Sequence, residues 1–396
     1  MTVSPEQPRL VVHLVQELDV GGLETGLLNL IHHMPADRYR HAIVCLKDFS
    51  AYHAQIRSRG IEIISLGKRE GKDFGHYVRM FRTLRALQPD VIHTRNVYGI
   101  EGQLVAALAG IKLRVHGEHG RDLRDLVGKR MKYQMLRRLL RPLIGHFIAV
   151  SGDLEQWLID SVGAEPQRVS HINNGVDSVQ FHPRLGPPAA IGPAGFMQDN
   201  VFVIGSVGRM DDGKDYPTLV EAFLRLVASP HPAHQRMRLL LVGDGPQRAH
   251  CLAMLARAGA AARAWLPGER GDTAQLLRAM DLFVLPALAE GSSNTILEAM
   301  ATGLPVVATA AGGSPTLVHP GFTGILVPPR SPELMAAAIA DYCRIPEMGA
   351  RHGMRARSQV ISRHSLPDMA RNYTAIYDAL SEEAGACPAS ASAPPA

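Results

Sequence analysis

Two glutamates, Glu290 and Glu298, bracket a run of small polar residues in the stretch EGSSNTILEAMATGLPVVAT. Ser292, Ser293 or Asn294 can cap a helix that starts there, and a helix start offers unpaired N–H groups and partial positive charge, which together hold phosphate. The backbone from Gly291 to Asn294 is therefore a candidate diphosphate cradle. Glu298, about one turn into that helix, is placed to face the same ligand, where a carboxylate accepts from two adjacent hydroxyls such as a ribose diol. Glu290, ahead of the helix, would then read the hydroxyls of a sugar on the distal phosphate. A bare pair at this spacing is more often a loop glutamate and a dipole-stabilising glutamate. The preceding strand, the cap-rich loop and the following PVVAT favour the ligand reading. GSVGRMDDGKDYPTL adds Arg209 and Lys214, a guanidinium fork and a point charge that would stabilise a departing diphosphate without a divalent cation. In LLLVGDGPQ the glycine pattern stops short of the dinucleotide fingerprint, so Gly243 is expected in a tight turn beside the nucleotide base.

These residues need a frame, and β-branched runs alternating with amphipathic stretches supply it. LVVHLVQEL, HAIVCL, DVIHTRN, RVHGEHG, GHFIAVS and RVSHINNG form one series; VFVIGSVGR, RLLLVGDG, LFVLPA, PVVAT and GILVPP form a second. Such alternation predicts an α/β chain of two Rossmann-like, doubly wound parallel sheets facing a cleft. PRLGPPAAIGPAGFMQD reads as a linker. The expected division is thus 1–182, a linker at 183–199, and 200–380, with the last helix able to pack back on the first domain and a disordered tail at 381–396. Ligands of open parallel sheets bind beyond the carboxyl ends of strands, which selects the loops at Gly21–Gly22, His119, Arg209, Gly243 and Glu290.

Composition agrees with a folded protein: 46% of the 396 residues are hydrophobic and 20% charged, which excludes disordered and collagen-like classes. Cys45, Cys251, Cys343 and Cys387 lie too far apart in sequence to suggest a disulfide framework or a zinc site. Without a basic leader or a long apolar run, a cytoplasmic location is expected. The net charge of +5 does not call for nucleic acid as a partner.

In order along the chain, GGLE, DVIHTRN, GEHG, AVS, INNGVDSVQFHP, GRMDDGK, LVGDGP, the Glu290–Glu298 segment and a later GG resemble the family 4 retaining glycosyltransferases of the GT-B fold. The resemblance spans nearly all of residues 10–380. It implies a nucleotide-diphospho-sugar donor, UDP- or GDP-linked, a saccharide or lipid-linked acceptor, and no metal or cofactor. By it, Glu290 contacts the donor sugar, Glu298 the ribose, Arg209 and Lys214 the diphosphate, and Gly291, Ser292, Ser293 and Asn294 the distal phosphate. Gly21 and Gly22 would let the first loop approach the donor phosphates, and His119 would face sugar and acceptor. It further implies front-face substitution, with the departing diphosphate helping to deprotonate the incoming hydroxyl. Two departures stand out. Thr316 in GGSPTLV replaces the family's glutamate, and GKDYPTL replaces lysine-glycine, a form similar to sugar transferases of bacterial exopolysaccharide clusters, including those accompanying PEP-CTERM sorting. An epimerase of the same fold, a nicotinamide-dependent oxidoreductase and a non-catalytic nucleotide-sugar binder are the competing readings.

Between 127 and 143, VGKRMKYQMLRRLLRPL carries six basic residues and no acidic one. At helical spacing Met131, Met135, Leu136, Leu139 and Leu143 share one side, with Arg130, Arg137, Arg138 and Arg141 opposite. This is the pattern of a core-packing helix with a solvated basic face, and also of a helix that meets an anionic membrane peripherally.

Overall fold

Runs of Val, Ile and Leu become strands wherever both faces can be covered, as parallel sheets require. The computed structural model describes residues 7–18, 22–49, 60–120, 131–187, 191–197 and 200–386. The chain divides into two units, Met1–Ile172 with Pro367–Ala396, and Asn173–Leu366.

The first unit contains β1 (Arg9–Val15), β2 (Tyr39–Cys45), β3 (Glu62–Ser65), β4 (Val91–Arg95), β5 (Leu113–Glu118), β6 (His146–Ala149) and β7 (Val169–His171), in the order β3-β2-β1-β4-β5-β6-β7. The second contains β8 (Phe202–Val207), β9 (Met237–Val242), β10 (Ala264–Gly268), β11 (Leu282–Leu285), β12 (Val306–Thr309) and β13 (Gly324–Val327), in the order β10-β9-β8-β11-β12-β13. Every pairing between these strands is parallel. Each sheet is doubly wound: the strand order reverses between β1 and β4 in one unit, and between β8 and β11 in the other. A crevice opens at such a reversal, beyond the carboxyl ends of the two strands.

Side-chain alternation builds two cores in the second unit, one on each face. Val203, Val207, Phe283, Leu285, Val306 and Ala308 pack on one side with Ile296, Leu297 and Met300 of the helix Asn294–Ala301. Ile204, Leu282, Val284 and Val307 pack on the other with Tyr216, Leu219 and Phe223 of the helix Tyr216–Ala228. Phe283, Val284 and Leu285 are fully buried, so the short strand before Glu290 is fixed from both sides.

The division of the chain differs in position from the sequence expectation of 1–182 and 200–380. Asn173 already belongs to the second unit, because its neighbour Asn174 bonds within that unit, its side-chain amide donating to Ser292 O at 3.3 Å and Asn294 Oδ1 at 2.8 Å. The last helix, Leu366–Ala386, runs past residue 381, where a tail was expected, and its residues from Pro367 onward are counted with the first unit. There Asp378 accepts from Arg38 at 2.7 Å and from the Tyr39 hydroxyl at 2.6 Å. Cys45, Cys251 and Cys343 are buried free thiols, and Cys387 lies outside the described residues. No helix among the described residues is long and apolar enough to cross a membrane.

Candidate functional site

The carboxyl ends of β8 and β11 receive the loops that carry Arg209, Lys214 and Glu290. These two strands border the point where the order of the second sheet reverses. Backbone bonds lock the loops together. Gly208 N–H donates to Val242 O at 3.0 Å, Met210 N–H to Asp244 O at 2.8 Å, Leu288 N–H to Gly213 O at 2.8 Å and Gly313 N–H to Glu290 O at 3.0 Å. Asp211 tightens the first loop by accepting the N–H groups of Gly213 at 3.0 Å and Lys214 at 3.1 Å. An aspartate two residues before a glycine is a turn signal that the sequence carries at DDG.

Lys214 donates to Glu290 Oε2, and both side chains are mostly buried. The ammonium keeps donors beyond this bond. The pair therefore holds a cation and a carboxylate side by side at the sheet's reversal. Arg209 is different: its side chain is 61% exposed and stands 3.9 Å from Asp211, leaving the guanidinium in solvent. Ser293 caps the helix Asn294–Ala301 by accepting from Ile296 N–H at 3.4 Å. Gly291 and Ser292 lie in the loop just before this cap.

Glu298 sits on that helix, half-buried, and burial alone pushes its carboxyl up to about 8 from an ordinary 4.5. The sign follows from proton linkage. A raised value in the folded state contributes stability fully below the ordinary value and loses it as pH rises through about 8. Unliganded wild-type protein should therefore lose thermal stability relative to Glu298→Gln between about pH 5 and 8. Parallel melting curves check this, and a constant difference across that range would contradict it.

Gly243 has φ 134°, and a Cβ there would fall on the carbonyl oxygen of Gly208, so only glycine lets these two loops meet. A Cβ on Gly312, whose φ is 52°, would fall on Glu290 O, and one on Gly313 on Gly291 O. The GG segment thus backs the Glu290 loop directly, a role that its residue types alone did not disclose. Thr316, at the position of the departure noted above, is exposed and donates its hydroxyl to Gly313 O at 2.7 Å. Asn174 is a further residue that the sequence reading quoted in its motif without assigning a task.

His119 belongs to the first unit, directly after β5. Its N–H donates to Asn96 Oδ1 at 2.8 Å, and its Nε2 is buried without a partner. Burial, then the charge of Arg95, hold the imidazole down at about 3, so it is neutral near pH 7. Gly22 opens the helix Gly22–His33, and Gly21 lies outside the described residues. The second unit holds Arg209, Lys214, Gly243, Glu290, Gly291, Ser292, Ser293, Asn294 and Glu298, with Lys214 and Glu290 in direct contact, whereas His119 and Gly22 belong to the other unit. Among the described residues no cluster of three or more His, Cys, Asp or Glu is arranged to hold a metal ion.

The basic helix, Met131–Leu140, is turned differently from the expectation. Arg137 is buried, donating to Glu118 Oε1 at 2.6 Å and lying 4.9 Å over the Trp157 ring. Met131, Met135 and Leu139 are instead 74%, 62% and 73% exposed. Glu118, at the end of a buried strand, explains the rotation. Burial opposes its charge, but Arg137 and His116 outweigh that and hold it at about 2. Arg130 lies outside the described residues.

Residues 20–180 match the family described as Glycosyltransferase Family 4, and residues 201–344 the family described as Glycosyl transferases group 1. The chain is 28% identical over 263 residues to the UDP-Gal:alpha-D-GlcNAc-diphosphoundecaprenol alpha-1,3-galactosyltransferase of Escherichia coli, covering 65% of this chain and 67% of that one. It is 27% identical over 305 residues to EpsF of Bacillus subtilis (strain 168), covering 75% and 78%. Anabaena HepE, solved in complex with UDP and glucose, superposes with a TM-score of 0.77 at 20% identity, over 93% of this chain and 99% of that one.

Proposed function

Because this chain belongs to the glycosyltransferases, with a Family 4 segment followed by a group 1 segment on the GT-B fold, we propose that it is a retaining enzyme using a nucleotide-diphospho-sugar. The acceptor in this reading is a hydroxyl of a saccharide or of a lipid-linked saccharide, and the setting is exopolysaccharide assembly at the cytoplasmic side of a membrane. The observation that carries it is the Lys214–Glu290 pair at the reversal of the second sheet, followed by a helix that bears Glu298. Support for the donor and acceptor classes comes from the Escherichia coli relative, whose name gives a UDP-sugar and a diphosphoundecaprenol-linked acceptor.

In this reading the diphosphate lies on the helix start at Ser293 and takes up the remaining donors of Lys214, with Arg209 closing from solvent. Glu290 accepts hydroxyls of the sugar, and Glu298 accepts the ribose diol as a carboxylate. As the bond from the anomeric carbon to the diphosphate oxygen breaks, charge develops on that oxygen beside Lys214. The acceptor hydroxyl attacks from the same face, and its proton passes to the departing diphosphate. Neutral His119 orients the reacting hydroxyls by hydrogen bonding. The cations already present serve the leaving group, so no metal is invoked. Candidate UDP- and GDP-sugars tested for transfer and slow hydrolysis, with the anomeric configuration followed by NMR, test the reading. Inversion, or no turnover with any donor, would refute it.

A carboxylate is needed to accept the diol, so nucleotide binding should release a proton and strengthen as pH rises toward about 8. Calorimetric titrations in buffers of different ionisation enthalpy measure this proton, and its absence from Glu298→Gln is expected.

The exposed Met131, Met135 and Leu139 stripe, with Lys132, Arg138 and Arg141 on the same surface segment, suits peripheral contact with an anionic bilayer. Replacing the three apolar residues with serine should weaken binding to phosphatidylglycerol vesicles at least about tenfold. Unchanged sedimentation with vesicles would remove the membrane contact.

A further inference from the structure

We propose that Asn174 is a positioning residue for the donor diphosphate: it holds the carbonyl of Ser292 so that the N–H of Ser293 faces the distal phosphate. The inference rests on the transfer reading above and goes beyond it by naming the side chain that fixes the phosphate loop.

The peptide that joins Ser292 to Ser293 is planar, with its C=O and N–H pointing in opposite directions, so whatever takes the carbonyl also aims the N–H. Asn174 Nδ2 stands 3.3 Å from Ser292 O and 2.8 Å from Asn294 Oδ1. A main-chain carbonyl only accepts, which fixes the orientation of the Asn174 amide with its donors toward Ser292 and Asn294. One side chain thus grips the loop on both sides of Ser293. The preceding carbonyls are also turned onto protein groups. Glu290 O accepts from Gly313 N–H at 3.0 Å, and Gly291 O lies so close to Gly313 that a Cβ there would fall on it. Of these three contacts, only that of Asn174 is made by a side chain.

The N–H groups of Gly291, Ser292 and Ser293 donate to no acceptor among the described residues, although Ser293 is 2% exposed. Backbone N–H groups at a buried position are ordinarily paired, and in the transfer reading the diphosphate is the acceptor. Asn174 is itself anchored, so the direction it imposes is set before any ligand arrives. Its carbonyl accepts from His364 Nδ1 at 3.1 Å, Val176 N–H donates to His364 O at 2.9 Å, and a parallel bridge joins Val176 to Ser365. A Cβ on Gly175 would stand 3.0 Å from Leu366 Cα, so the glycine of NNG lets these two segments meet backbone to backbone. The anchor and the loop both lie in the second unit.

The test is calorimetric titration of UDP, GDP and their monophosphates into the full chain as wild type, Asn174→Ala and Asn174→Asp. The preference for diphosphate over monophosphate should fall about tenfold in Asn174→Ala. It should fall further in Asn174→Asp, whose carboxylate cannot donate and repels Ser292 O, while monophosphate affinity stays near the wild-type value in both. A space-filling role predicts the reverse order, since aspartate matches the shape of asparagine better than alanine does. The Ser293 amide resonance of isotope-labelled wild type reports even if neither variant folds: it should move downfield with the diphosphate and less with the monophosphate. A wild-type preference retained in Asn174→Ala, Asn174→Asp no worse than Asn174→Ala, or an unmoved Ser293 resonance would overturn the proposal. Failure of the donor reading is separately visible, because the wild type itself would then show neither a diphosphate preference nor donor hydrolysis, and the role of Asn174 would fall with it.

Discussion

Glu290→Ala is expected to lower kcat for sugar transfer by about a hundred- to a thousandfold, the scale of losing one preorganised group at the reacting centre. Affinity for the free nucleoside diphosphate should change little, because Glu298 and the helix start remain. Glu290 is held by Lys214 and by the Gly313 N–H bond to its carbonyl, so the truncation removes a fixed acceptor rather than a mobile loop side chain. Glu290→Gln keeps the shape and loses the charge; a comparable kcat loss there would place the effect in electrostatics. Steady-state kinetics with full donor saturation separate kcat from KM. Near-wild-type kcat in both variants would remove Glu290 from the chemistry.

Gly313→Ala should reduce transfer by about a hundredfold although residue 313 has no side chain to offer a ligand. Its Cβ would fall on the carbonyl oxygen of Gly291, so the Glu290–Ser292 backbone has to move away. The collision is with backbone, which cannot rotate aside, and overpacking of this kind costs about 1–3 kcal/mol. Nucleoside diphosphate affinity should fall together with turnover, which distinguishes this variant from Glu290→Ala. Activity and affinity both unchanged would mean that the loop does not cradle phosphate.

Much of this architecture was legible in the residues because the strands obey a simple rule. Leu282–Leu285 and Val306–Thr309 are short apolar runs buried on both faces, and the loops that follow them carry the residues singled out for chemistry. The Lys214–Glu290 contact joins residues far apart in sequence, yet each was placed beyond a strand's carboxyl end, and strand order then brought them together. Other features were not legible. The helical period of Met131–Leu140 defines two faces without saying which one turns inward; the buried Glu118 decides this by recruiting Arg137. The return of the last helix depends on Asp378 meeting Arg38 and Tyr39, pairings that no local pattern announces.

The central claim is that the second unit grips a nucleotide's diphosphate at the reversal of its sheet. Calorimetric titration of UDP and GDP, each against its monophosphate, into the wild type and Lys214→Ala tests it most directly. The account predicts that one diphosphate binds more tightly than its monophosphate and that this preference falls about tenfold or more in Lys214→Ala. Equal affinity for diphosphate and monophosphate, or a preference untouched by Lys214→Ala, would contradict it.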